Sequence, residues 1–153
     1  MYAFQKLRSF LSPLLKPHIA GVRPTEEEIM EYEIHHRERF VEVVTHGDGE
    51  VEVFQEFLSE VLRHPDWKPG IPILIDHSDL NVGPLTVDGM MKLANMIDAA
   101  RVELGSSRMA IFVPGDLGYG LGRMWQVYIE GKWDGASELF RSKEDALYWL
   151  THD

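Results

Sequence analysis

The chain has 153 residues and a mass of 17.6 kDa, the size of one ordinary domain. A chain this long buries roughly 68–70% of its extended surface, and 44% hydrophobic with 26% charged residues excludes wholesale disorder. The absence of cysteine excludes a disulfide scaffold, a thiolate zinc site and a cysteine nucleophile. The net charge of −10 is uneven: Lys6, Arg8, Lys16 and Arg23 give residues 1–24 a charge of +4, and residues 25–153 hold −14. An acidic body repels a phosphate backbone, which argues against nucleic-acid binding.

The chain opens on an amphipathic segment in which Phe4, Leu7, Leu11 and Leu14 recur at helical spacing, with polar residues between them. Pro13 ends or kinks that helix at Ser12, and Pro17, Gly21 and Pro24 mark a linker. Lys6 and Arg8 interrupt the apolar stretch that a secretion signal needs, and nothing approaches the ~20 apolar residues of a membrane span. A cytoplasmic protein without stable membrane insertion is therefore expected. Residues 1–24 form one unit of this reading and residues 25–153 a folded domain.

From Ile29 the period changes to two. Met30, Tyr32 and Ile34 share one face of a strand, with Glu31 and Glu33 opposite. RFVEVVTH reads as its hairpin partner, broken at Gly47-Asp48-Gly49. Residues 51–64 carry Val53, Phe54, Phe57, Leu58, Val61 and Leu62 as a helical stripe, and HPDWKPG is a loop. IPILID is apolar on both faces, the pattern of a buried parallel strand, and HSDLNVGPL reads as a loop. Thr86 has N-cap chemistry for a helix that carries Met90, Leu93, Ala94, Ile97 and Ala100 inward and ends near Gly105. RMAIFV is a second buried strand, PGDLGYG a turn, and a helix runs from about Leu121 to Ile129. After GKWDG, SELFRS forms a last strand, and Ser142 with Glu144 and Asp145 starts a last helix.

The order helix, ββ, αβ three times, then α predicts an α/β fold with a mostly parallel sheet. That order, with WKPGIPILID before a long loop, RMAIFVPGDLGYGLGRMW and LFRSKEDALYWL, resembles the SpoIIAA-like branch of the STAS superfamily over residues 29–151. The superfamily includes bacterial anti-sigma-factor antagonists and, more distantly, the lipid-carrying SEC14 proteins. The resemblance implies about five strands, an antiparallel N-terminal hairpin and helical crossovers. It also implies a non-catalytic binding or regulatory module that acts through protein contacts. Antagonists of this type present a phosphorylatable serine in an Asp-Ser-Ser-Gly stretch at the N-terminus of the helix after the central strand. Here that region reads GPLTVDGM, so Thr86 is the hydroxyl near that position, and it reads as a helix cap.

Glycines 115, 118, 120 and 122 follow a strand, but they match neither a Walker loop nor Gly-x-Gly-x-x-Gly, and close packing is the expected role. His35 and His36 sit at the hairpin turn and His46 at the far end of its second strand, so they share no ion, and no metal site is expected. Asp76, His77, Ser78 and Asp79 hold the letters of a triad, yet neighbours in an extended segment point to opposite faces. Asp76, Ser78 and Asp79 do lie at a strand's carboxyl end, the ligand side of an open α/β sheet. With Thr86, Tyr119 and Arg123 they form the candidate ligand or partner surface. No catalytic residue and no cofactor is assigned. Tyr119, Trp125, Trp133 and Trp149 read as core or rim aromatics, or as the lining of an apolar cavity.

Three readings stay open from different classes. The first is a protein-binding regulatory module, the second a carrier or sensor of a small apolar, lipid-like ligand, and the third an enzyme using the Asp76–Asp79 loop. Topology adds one expectation. Sequential parallel strands with right-handed crossovers put every connecting helix on one face of the sheet. The central strands are apolar on both faces, so the amphipathic helix around Tyr2–Leu11 is expected to cover the other, from its own chain or from a second copy in a homodimer.

Overall fold

The computed structural model describes residues 28–152. The elements in chain order are strands β1 (Glu31–His36) and β2 (Val41–Asp48), helix α1 (Val51–Arg63), strand β3 (Ile73–Asn81), helices α2 (Val87–Ala99) and α3 (Arg101–Leu104), strand β4 (Arg108–Phe112), helix α4 (Asp116–Ile129), strand β5 (Ala136–Phe140) and helix α5 (Lys143–Thr151). The strands lie in sequence order, β1 antiparallel to β2 and every later pair parallel. This is the α/β architecture expected from the alternation, hairpin included. The helix expected from Thr86 to Gly105 is divided at Ala100, which caps α2 and precedes α3.

Alternation decides the two faces. Ile73, Ile75, Met109 and Ile111 turn toward α1, α2 and α4 and join the main core with Val43, Phe57, Leu93 and Trp125. Leu74 and Ala110 turn the other way and are fully buried against Ala146 and Leu150 of α5. Each buried aliphatic side chain contributes roughly 1.5–3 kcal/mol, so that second face needs a cover. The cover found at Leu74 and Ala110 is α5, the last helix, whereas the sequence pointed to the N-terminal segment. Residues 1–24, with the expected amphipathic helix, lie outside the described residues.

Three boundaries differ from the sequence reading, each for a local reason. β2 runs through Gly47 instead of breaking there. Gly47 adopts φ +90 and a Cβ would collide with the Ile29 carbonyl, so glycine lets the strand pass the start of β1. β3 continues through His77–Asn81, read above as a loop, because β2 stays beside it to Asp48. The pairing passes from Val44↔Asp76 to His46↔Asp79, so Thr45 faces the two residues His77 and Ser78, a β-bulge. α4 begins at Asp116, so the expected PGDLGYG turn is instead the entry and first turns of a helix. Gly118 lies where a Cβ would strike Val113, and Gly122 where one would come within 2.7 Å of Leu139. The glycines are there for close helix–sheet approach, which outweighs their low helix propensity of ~1 kcal/mol each.

Candidate functional site

The polar residues singled out from sequence separate into two groups. Asp76 faces α5 and is buried, and its Oδ1 accepts from the Ser78 hydroxyl at 2.6 Å and the Ser78 amide at 2.9 Å. Lys143, at the start of α5, lies 3.0 Å from Asp76 Oδ2 and 2.8 Å from Oε2 of Glu42, which is also buried. Arg37 adds two hydrogen bonds to Glu42 Oε1. Burial alone would raise both carboxyls. Hydrogen bonds from Lys143 and Arg37 to Glu42, and from Ser78 and Lys143 to Asp76, outweigh it and hold both below the usual carboxylate range. The bond to Glu42 leads in holding Lys143 above its ordinary value. The network clamps α5 to the sheet.

Asp79 is exposed one turn of the pleat further on. Thr86 caps α2, its hydroxyl oxygen accepting from the Gly89 amide at 3.0 Å. It lines an open cleft of about 440 Å³ together with Glu28, Asp48, Glu50, Glu52 and Asp88, with Lys92 the cation among the lining residues. A phosphate on Thr86 would add charge to that acidic wall, opposing the gain from the helix N-terminus. The Tyr119 ring lies 4.3 Å beneath the Arg141 guanidinium, which also pairs with Asp116 at 2.6 Å. Arg123 is exposed and reaches Gln126 at 3.4 Å. Among the described residues, no hydrogen bond or ion pair links Asp76 and Ser78 to Thr86, Tyr119 or Arg123.

His77 points the opposite way from Asp76, as strand alternation requires, so Ser78 and His77 do not meet. Its Nδ1 is 2.6 Å from the Thr45 hydroxyl, which also donates to the Asp76 carbonyl at 3.2 Å across the bulge. Phe54 meets the ring edge-on at 5.3 Å. Burial lowers its pKa to about 4, the Asp76 charge opposing it less strongly, so the ring is neutral near pH 7. His36 stacks on His64 at 3.8 Å, and burial followed by the His64 charge lowers the pKa of His36. No group of three or more ligating side chains that could hold a metal occurs among the described residues.

The ring of His77 forms part of the wall of an apolar cavity of about 80 Å³ between the sheet and helices α1, α2 and α4. Phe54, Met90, Met96, Leu121 and Trp125 also line it, and Gly118 closes it where a side chain would not fit. Of Tyr119, Trp125, Trp133 and Trp149, Trp125 alone lines this cavity. Trp133 donates to the Gly105 carbonyl at 2.9 Å, and Trp149 lies on the α5 face with Arg108 at 4.3 Å over its ring. The Trp125 indole N–H is buried and, like the Glu60 carboxylate, has no hydrogen-bond partner.

Comparison with known proteins gives the fold. No protein-family model matches the sequence, and no curated protein matches it significantly. The chain is similar to the crystal structure of an uncharacterized protein of the DUF3478 family with a SpoIIAA-like fold from Shewanella loihica PV-4. That match has TM-score 0.54 and 20% identity, covering 85% of this chain and 99% of that one. It is also similar to an anti-sigma factor antagonist from Mycobacterium paratuberculosis, with TM-score 0.53 and 16% identity, covering 81% of this chain and 96% of that one. The resemblance read from sequence thus extends to the SpoIIAA-like fold. No described helix is long and apolar enough to cross a membrane.

Proposed function

We propose that this chain is a non-catalytic binding module of the STAS type whose cavity takes up a small apolar ligand, as a sensor or carrier. The cavity is the observation that carries the reading. It is walled almost wholly by aliphatic, methionine and aromatic side chains, and it lies between the two helices richest in methionine and aromatic residues. Its size sets the guest. An apolar cavity of ~150 Å³ holds benzene, and drug-sized ligands need ~300 Å³ or more. At 80 Å³ the site fits a few non-hydrogen atoms, and a lipid chain enters only if α2 and α4 separate. Catalysis at Asp76 is the weaker alternative, since its two oxygens are already held by Ser78 and Lys143. Native mass spectrometry of the purified full-length protein tests the reading. A retained small molecule, or xenon taken up at this site in solution, supports it; a cavity that stays empty under xenon pressure overturns it.

A second reading, the regulatory module acting through protein contacts, is favoured by the acidic cleft around Thr86. Its partner would present a basic surface, as five carboxylates line the cleft. Affinity for such a partner should fall steeply with salt. Binding that is indifferent to ionic strength and to Glu50→Gln with Glu52→Gln would remove that surface from consideration.

A further inference from the structure

We propose that residues 1–24 of this chain dock, as a cationic amphipathic segment, on the β1–β2 half of the sheet face that carries α5. The contact lies on the opposite side of the sheet from the cavity, so it stands apart from that reading. Register defines the face. Glu31, Glu33 and His35 of β1 lie opposite His46, Val44 and Glu42 of β2. Glu42 and Val44 in turn lie opposite Leu74 and Asp76 of β3, which face α5. Met30, Tyr32 and Ile34 alternate with the β1 residues and join the core under α1 on the other side. α5 lies over β4 and touches β3 and β5. Packed helices stand ~8–10 Å apart and neighbouring strands ~4.7–4.9 Å apart, so a helix beside α5 comes down two strands away, over β2.

Charge and chain length select the occupant. Among the described residues β1 is an edge strand, with α1 on its other side, yet Glu31 is only 7% exposed, the burial of a residue beneath a cover. A carboxylate taken out of water calls for a cation or donors. Among the described residues no lysine or arginine pairs with Glu31 or Glu33, and Arg37 and Lys143 are both held by Glu42. Residues 1–24 carry Lys6, Arg8, Lys16 and Arg23 and no acid. Their apolar positions Phe4, Leu7 and Leu11 find a floor in Val44 and Phe40, both half-buried on this face. The described chain begins at Glu28, three residues before β1, so the segment enters beside the face it covers. Arg23 precedes Glu28 by five residues, a reach of at most ~18 Å. Such a tether holds the segment near its site at roughly millimolar effective concentration, which a free second copy does not match.

The chain has no cysteine, so Ser9→Cys gives a single site for a nitroxide label on the full-length protein, and paramagnetic broadening in its NMR spectrum reads where the label sits. The strongest broadening is expected at Glu33, Val44 and His46, and the least at Leu117 and Val127 on the exposed side of α4. Lys6→Glu with Arg8→Glu, both outside the described domain, should remove the broadening and leave the rest of the spectrum in place, and about 1 M salt should weaken it. Labelled protein mixed with nitrogen-15 protein that lacks the label should give none. Broadening in that mixture makes the occupant a second copy and overturns the proposal. Broadening that is strongest on α1, α2 or α4, or that survives the charge reversal, overturns it as well. So does a spectrum without broadening; if that protein also pellets with vesicles containing phosphatidylserine, the segment's partner is a membrane.

Discussion

Replacing Lys143 by methionine removes the charge that joins α5 to two buried carboxylates and keeps most of the side-chain length. Glu42 and Asp76 would lose contacts of 2.8 and 3.0 Å while staying buried, with side chains only 6% and 7% exposed. Breaking a fully buried pair costs about 3–5 kcal/mol, and an exposed pair is worth at most about 1 kcal/mol. Lys143 is 41% exposed, and Arg37 and Ser78 remain to share the burden, so we expect a loss of about 2 kcal/mol. For a chain of this length that corresponds to a Tm lower by about 4–8 °C. The loss should depend on pH in a definite sense. Both carboxyls are held below their ordinary values of 4.5 and 3.8, so their contribution is present above those values and disappears as pH falls through the lower folded ones. Lys143 is held above 10.5, so its contribution is complete below that pH and disappears as pH rises through the folded value. The gap between wild type and variant, measured by urea unfolding, should be widest near neutral pH and close in acid. An equal gap at about pH 3 and about pH 7 would show that lysine packing, not charge, carries the effect, and would refute the electrostatic account.

Further outcomes follow from single sites. Gly118→Ala should cost about 1–3 kcal/mol through the clash with Val113. Gly120→Ala, where a Cβ meets nothing within 4 Å, should add about 0.5–1 kcal/mol; thermal unfolding that ranks the two equally would show that packing does not place these glycines. Thr86→Ala should cost about 1 kcal/mol as a lost cap and change nothing else, and stoichiometric phosphate on Thr86 in cells would refute this. ATP, GTP and NAD should leave Tm unchanged, whereas a site filled at 100 times its Kd would add ~2.7 kcal/mol. His77 is neutral in the folded chain down to about pH 4 but titrates at 6.5 when unfolded, so the unfolded state binds more protons between those values. Stability should therefore rise with pH across that window, and His77→Gln should flatten the rise in a series of urea titrations.

Strand order and facing were legible because they depend on near-neighbour pattern. The apolar residues on both sides of IPILID and RMAIFV demanded two covered faces, and the Ile73/Leu74 alternation shows which side chain meets which layer. What the pattern could not decide was the cover. Ala146, Leu147 and Leu150 make a short apolar stripe near the C-terminus that attracts less notice than Phe4, Leu7 and Leu11 at the start. The decisive signal was Lys143, whose meaning depends on two acids 101 and 67 residues earlier in the chain. Polar HSDLN has the composition of a loop, and it becomes strand only because β2 supplies hydrogen bonds from across the sheet.

The site was legible by residue type but not by arrangement. Asp76 and Ser78 drew attention as neighbours at a strand end, and they do bond to each other, yet their joint work is to receive α5. Alternation turns His77 away from Ser78, and that same turn delivers it to the cavity wall. Nothing near it in sequence identifies Thr45 as its hydrogen-bond partner, since the contact arises at a bulge between two strands. Trp125 is similar: Tyr119, Trp125, Trp133 and Trp149 read alike, and three-dimensional packing leaves this indole N–H without a partner. The cavity draws its wall from α1, β3, α2, β4 and α4, with small residues such as Gly118 deciding where space remains. Space left between elements is a sum of side-chain volumes from the whole chain, so no local window of sequence contains it.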